Sequence, residues 1–164
     1  MLALSKLSDY AIVLMTFLAR HDEYRANARS LSLATRIPMP TVIKLLKMLV
    51  TGGALQSIQG RGGGYRLGRL PGDISLSEII ESIEGPIAVT ECNRETGDCR
   101  IQDECQVRPH WRVINQALRE TLAAISLADL SSPGLQISAS WQLEHASTRQ
   151  GRVEIAPAML KTSP

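Results

Sequence analysis

The first strong pattern along the chain is helical. Leu7, Ala11, Leu14 and Leu18 recur at steps of three and four, and Ile12, Met15 and Ala19 widen the same face. Residues 4–20 are therefore expected to form an amphipathic helix, which His21-Asp22-Glu23 ends. Asn27 is placed to cap a second helix reaching residue 36. Ile37-Pro38-Met39-Pro40 reads as a turn, because each proline restricts the residue before it. Pro40 then suits the first turn of a third helix over residues 40–50, where its missing N–H leaves no bond unmade. On that helix Val42, Leu45, Leu46 and Leu49 face one way, whereas Thr41, Lys44, Lys47 and Thr51 line another. Gly52-Gly53 stops it. Two short strands are expected over residues 54–59 and 64–68, joined by Gly60-Arg61-Gly62-Gly63.

Helix, short turn, helix with a basic stripe, then hairpin is the order of a winged helix-turn-helix. A helix fits the major groove of DNA, where Lys44 and Lys47 meet phosphates or base edges. An arginine on a glycine-rich tip, Arg61, suits a narrow minor groove. The candidate DNA contacts are Pro40, Thr41, Lys44, Lys47, Ser57, Gln59 and Arg61. The plainer alternative is a small helical domain whose lysines are merely solvated.

Beyond Leu70-Pro71-Gly72-Asp73, Ser75 and Glu78 are spaced as a capping box for a helix to residue 84, closed by Gly85-Pro86. Residues 90–106 are polar and aperiodic, hence a loop. Pro109 opens a long helix expected to reach residue 130, with Trp111, Ile114, Leu118, Leu122 and Ile125 as its apolar stripe. Such a stripe needs cover, and the same helix of a second subunit is the natural candidate, with packing inside the chain as the alternative. Residues 135–164 are rich in Ser, Gln, Thr and Ala and are expected to be a disordered tail, with Trp141 the one feature arguing otherwise. The fold class expected is mainly α. A winged helix-turn-helix domain would span residues 1–73, a loop with a dimerisation helix 74–130, and a tail 131–164.

Charge sharpens this reading. Residues 1–73 carry ten Lys/Arg against four Asp/Glu, and residues 74–164 carry eight against twelve, which together give the net +2 of the 164-residue chain. A basic amino-terminal half favours a polyanionic partner. The apolar run over residues 11–19 is broken by Thr16 and too short to span a bilayer, and no signal-peptide pattern opens the chain, so no membrane association and a cytoplasmic location are expected. No nucleophile triad, phosphate loop or paired carboxylates are visible, so the chain does not read as an enzyme.

All three cysteines, Cys92, Cys99 and Cys105, fall in the polar loop. Their spacing matches neither the paired knuckle of structural zinc nor the ferredoxin run. Three thiolates in a loose loop still suit zinc, copper(I) or an iron–sulfur cluster, with one ligand supplied from elsewhere. Inert thiols, zinc held with His110, and a regulatory disulfide are the alternatives.

Leu7-Ser8-Asp9-Tyr10-Ala11, the Ile37-Pro38 turn, Gly60-Arg61-Gly62-Gly63-Gly64-Tyr65-Arg66-Leu67 and the three-cysteine loop together resemble the IscR/NsrR-type winged-helix iron–sulfur regulators. Thr90-Glu91-Cys92 and Trp111-Arg112-Val113-Ile114-Asn115-Gln116-Ala117 are most similar to the branch regulating SUF iron–sulfur cluster assembly. The resemblance covers residues 1–130. It implies a homodimeric transcription factor, dimerised through the long helix, whose hold on a palindromic double-stranded DNA operator responds to an iron–sulfur cluster, 2Fe-2S favoured over 4Fe-4S. Cys92, Cys99 and Cys105 match the cluster cysteines, and the fourth ligand is Asp9 of the partner subunit or His110. The function implied is repression of iron–sulfur assembly genes. The alternatives are sensing of nitric oxide or redox state by the same fold, and a zinc- or cluster-binding interaction module without a DNA function.

Overall fold

The computed structural model describes residues 4–21, 25–60, 62–94, 97–101 and 103–133. The expected tail and Trp141 lie outside them. Helix α1 (Lys6–Ala19) begins where the Ser5 hydroxyl accepts from the Ser8 N–H, and its apolar stripe buries Ala11, Leu14, Met15 and Leu18 completely. A two-residue strand β1 (Arg25–Ala26) follows. It was not expected, because two residues carry no alternation. Helix α2 (Ala28–Thr35) starts at Asn27, whose side chain accepts from Ser30 N–H at 2.8 Å. It stops at Arg36, which is left-handed at φ 59°. Buried Ile37 then anchors the turn, its carbonyl taking the Ser32 hydroxyl at 2.7 Å.

Helix α3 (Met39–Thr51) has proline in its first turn and sinks Val42, Leu45, Leu46 and Leu49 into the core. Strands β2 (Leu55–Ile58) and β3 (Gly64–Leu67) pair antiparallel with Leu55 opposite Leu67 and Ser57 opposite Tyr65. Strand β1 adds to the other edge of β3, giving the order β1-β3-β2. A Cβ on Gly64 would lie 2.7 Å from the Ala26 carbonyl, so only glycine lets β1 approach this closely. The result is a mainly helical winged helix-turn-helix.

Helix α4 (Leu76–Glu84) begins with the expected capping box, Ser75 and Glu78 each bonded to the other's backbone N–H. One core crosses residue 73: Ile74 and Ile79 pack in the same cluster as Leu14, Leu46 and Leu127. A 3-10 turn (Glu91–Asn93) precedes α5 (Arg108–Ala123), which lies on α4 with Arg119 paired to Glu81 at 3.2 Å.

The expectation of one helix to residue 130 is corrected here. The chain breaks after Ala123 and restarts as α6 (Leu127–Ser131), because Ser126 and Asp129 form a second capping box. The Leu76 N–H donates to the Ile125 carbonyl and the Leu127 N–H to the Ile74 carbonyl, both at 2.8 Å, and Ser75 pairs antiparallel with Ser126. Ile125 therefore stands in this connection, not on the α5 stripe. The apolar positions continue with helical spacing through the break, which hid it.

The Glu84 carboxylate, at the end of α4, accepts from the Ser8 hydroxyl and from the Ser5 N–H and so secures the start of α1. The Ser8 bond, then the Ser5 bond, hold its pKa below the ordinary glutamate value. The stability so contributed is present above the ordinary value and is lost as pH falls through the lower folded one. Glu84→Gln should lower the neutral plateau of a thermal-stability profile slightly and leave its acid end nearly unchanged, so that the acid limb flattens. An unaltered acid limb would remove Glu84 from that role.

Candidate nucleic-acid interface and cysteine loop

Core packing decides which side of α3 faces out. With Val42, Leu45, Leu46 and Leu49 turned inward, Pro40, Lys44 and Lys47 are exposed and Thr41 is half-buried. Ser57 and Gln59 are exposed beside the wing, whereas Arg61 lies outside the described residues. The structure adds two residues that charge patterning missed: Met39 and Ile43, each 37% exposed on α3. Four residues before Lys47 on a basic face, an apolar side chain suits the methyl group of thymine. It also adds Arg25, whose guanidinium donates to the Gly62 carbonyl and braces the wing against β1. A cavity of about 450 Å³ lies beneath, lined by Phe17, His21, Asn27 and Gly63 among others.

The cysteine loop is set by tertiary contacts. Cys92 sits on the 3-10 turn with its sulfur 3.2 Å from the Thr90 hydroxyl. Cys92, Cys99 and Cys105 are all half-buried and all free. Among the described residues, no three His, Cys, Asp or Glu side chains gather tightly enough to hold a metal ion. The donors thus fit an iron–sulfur cluster in kind, three soft sulfurs in one loop with one further ligand to come from elsewhere, while this geometry does not converge them. Asp9 is exposed on the first turns of α1, and His110 is exposed at the start of α5.

Gly97 is the tight point of the loop. A Cβ there would collide with the Glu91 carbonyl oxygen and come 2.8 Å from its carbon, and backbone atoms do not yield as a flexible side chain does. Gly97→Ala should therefore displace the chain between Cys92 and Cys99 with little change in melting temperature, since the core is remote. Hydrogen exchange across residues 90–101 unchanged from the parent would contradict this.

The expected dimerisation stripe divides. Leu118 and Leu122 are half-buried and, with Leu4, Ile80, Ile87 and Val89, line a groove of about 540 Å³ within the chain. Val113 is 70% exposed and Ile114 48%, with Trp111 half-buried beside them. No helix among the described residues is long and apolar enough to cross a membrane.

Comparison with known proteins agrees with this architecture. A family model described as Rrf2, iron-dependent transcriptional regulator, matches residues 4–133. The HTH-type transcriptional regulator IscR of Xenorhabdus nematophila is 30% identical over 122 residues, 74% of each chain. The HTH-type transcriptional regulator NsrR of Shouchella clausii is 27% identical over 124 residues, 74% of this chain and 81% of that one. Among solved structures, CymR, the global cysteine regulator of B. subtilis, superposes with a TM-score of 0.60 at 27% identity, covering 80% of this chain and 97% of its own. T. potens IscR does so with a TM-score of 0.57 at 25% identity, covering 91% of each.

Proposed function

The chain belongs to the Rrf2 family of iron-dependent transcriptional regulators, and from that premise we propose that it is a homodimeric repressor of iron–sulfur cluster assembly genes, acting on a palindromic operator in the cytoplasm. Its grip on DNA is set by an iron–sulfur cluster, 2Fe-2S in preference to 4Fe-4S, held by Cys92, Cys99 and Cys105. The observation carrying this reading is the pairing, in one chain, of a basic recognition face with three free thiols in a single loop. Regulation rather than catalysis is the activity of the family.

Lys44 and Lys47 neutralise phosphates, and Pro40, Thr41, Ser57, Gln59 and Arg61 complete the contact. Trp111, Ile114 and Val113 on α5 face the second subunit, while Leu118 and Leu122 seat α5 on its own chain. A bound cluster would supply a crosslink sensitive to iron supply and oxidation. Its fourth ligand is Asp9 of the partner subunit in preference to His110, because Asp9 lies on the helix packed beneath the recognition helix and a carboxylate is a weaker ligand than thiolate. Anaerobic purification followed by iron and sulfide analysis, an absorption spectrum and operator binding with and without the cluster tests all of this. A protein free of iron and sulfide under those conditions would overturn the sensing mechanism. Similarity to the NsrR protein at nearly the same identity supports a second reading, a redox or nitric oxide sensor of the same fold. Operator release by nitric oxide but not by iron limitation would select it.

A further inference from the structure

The segment leading into Cys92 has no regular structure of its own before the 3-10 turn, yet α5 holds two of its backbone groups through one side chain. Asn115 is 8% exposed, buried under that segment. Its Oδ1 accepts from the Val89 N–H at 2.9 Å, and its Nδ2 donates to the Ile87 carbonyl at 3.1 Å. One side chain thus pairs with two alternate residues, as a neighbouring strand would. The Ile87 N–H reaches the Glu81 carboxylate at 3.4 Å, and Glu81 is the partner of Arg119 on α5. One turn before Asn115, the Trp111 carbonyl accepts from the Asn93 side chain at 3.2 Å. The same Asn93 amide donates to the Thr90 hydroxyl at 2.9 Å, and that hydroxyl stands 3.2 Å from the Cys92 sulfur. When the sulfur is a thiolate, which has no proton to give, the hydroxyl is the donor of this bond.

We propose that Asn115 and Asn93 are positioning residues for the first cysteine: they clamp residues 87–93 to α5, so that the place of the Cys92 sulfur, and the hydrogen bond Thr90 gives it, are set by the helix and not by the loop. The proposal rests on the cluster-sensing reading only for what the sulfur binds. A buried asparagine is an expensive choice for a helix face unless both ends of its amide are used, and here both are used, on the Val89 N–H and the Ile87 carbonyl. Groups that hydrogen-bond and orient a metal's own ligands govern how firmly the metal is kept. Among the described residues no such hydrogen bond is seen at Cys99 or Cys105, and the clamp is proposed for Cys92 alone.

The experiment uses the full-length reduced protein without cluster, pulsed with iodoacetamide, each cysteine being read separately by peptide mass spectrometry. Asn115→Leu, close to isosteric, and Asn93→Ala should each raise the alkylation rate of Cys92 by about fivefold to tenfold, the factor that losing one or two hydrogen bonds gives a local opening equilibrium. Cys99 and Cys105 should keep their parent rates. A Cys92-specific rise in Asn93→Ala alone supports the proposal should Asn115→Leu fail to fold. Unchanged Cys92 rates in the folded variants, or an equal rise at all three thiols, overturn it. A Cys92-specific rise in a protein that takes up neither iron nor sulfide leaves the clamp standing and removes the cluster reading instead.

Discussion

Replacing Lys44 and Lys47 together by alanine should weaken operator binding about 30-fold at about 0.15 M salt. Each phosphate neutralised releases counterions worth about 1 kcal/mol under those conditions, and two such losses give that factor. The slope of log affinity against log salt should fall by about 1.8 for the same reason. Both side chains are exposed on the face of α3 opposite its buried leucines, so the denaturation midpoint should move by no more than about 0.5 kcal/mol. Measuring affinity on operator and on random duplex separates the two ways a lysine acts. Equal loss on both assigns phosphates, whereas loss confined to the operator assigns a base edge. An unchanged salt slope would show that α3 does not present this face to DNA.

Glutamate at both Val113 and Ile114 should convert the proposed dimer to a 17.9 kDa monomer and lower operator affinity on the order of 100-fold, because two linked half-sites bind far better than one. These two side chains are 70% and 48% exposed in the single chain, and water is a poor neighbour for them. Charges at Leu118 and Leu122 make a less clean experiment. Those leucines also line a groove shared with Ile87 and Val89 of their own subunit, so altering them changes that groove as well. Sedimentation of the unmodified protein as a monomer, or of the variant at twice 17.9 kDa, would defeat the assignment.

The local chemistry of the helices could be read in advance where a short polar side chain had one job. Asn27 and the Ser75–Glu78 pair cap the helices they were expected to cap, because such caps depend only on residues three apart. The same signal at Ser126 and Asp129 was overlooked, since Leu118, Leu122 and Ile125 kept an apolar rhythm that a continuous helix also satisfies. Strand β1 was invisible for a different reason: its hydrogen bonds exist only because Gly64 leaves room for it on β3. At the DNA-facing surface, alternating lysines announced themselves, whereas Met39 and Ile43 looked like core until α3 was seen to bury the opposite side. The cysteine spacing was plain, but the ties from Asn115 and Asn93 join residues 18 to 28 positions apart, beyond any local pattern.

The paired backbone bonds at Ser75 and Ser126 have a mechanical meaning. They tie the start of α4 to the start of α6, so that the whole excursion from Leu76 to Ile125 begins and ends at one two-residue bridge. From that bridge α5 projects as a rod of 16 residues, about 24 Å long at the usual helical rise. Its near end is braced by Arg119 on Glu81, and its far end adjoins Cys105 and His110. A swing of about 4 Å at the far end of such a rod is a rotation of only about 10° at its base. Beyond the bridge the chain continues directly into α6, which packs on α1. A 4 Å displacement at the cysteine end of α5 would thus reach α6, and α1 beneath the DNA-reading helices, only as a small turn.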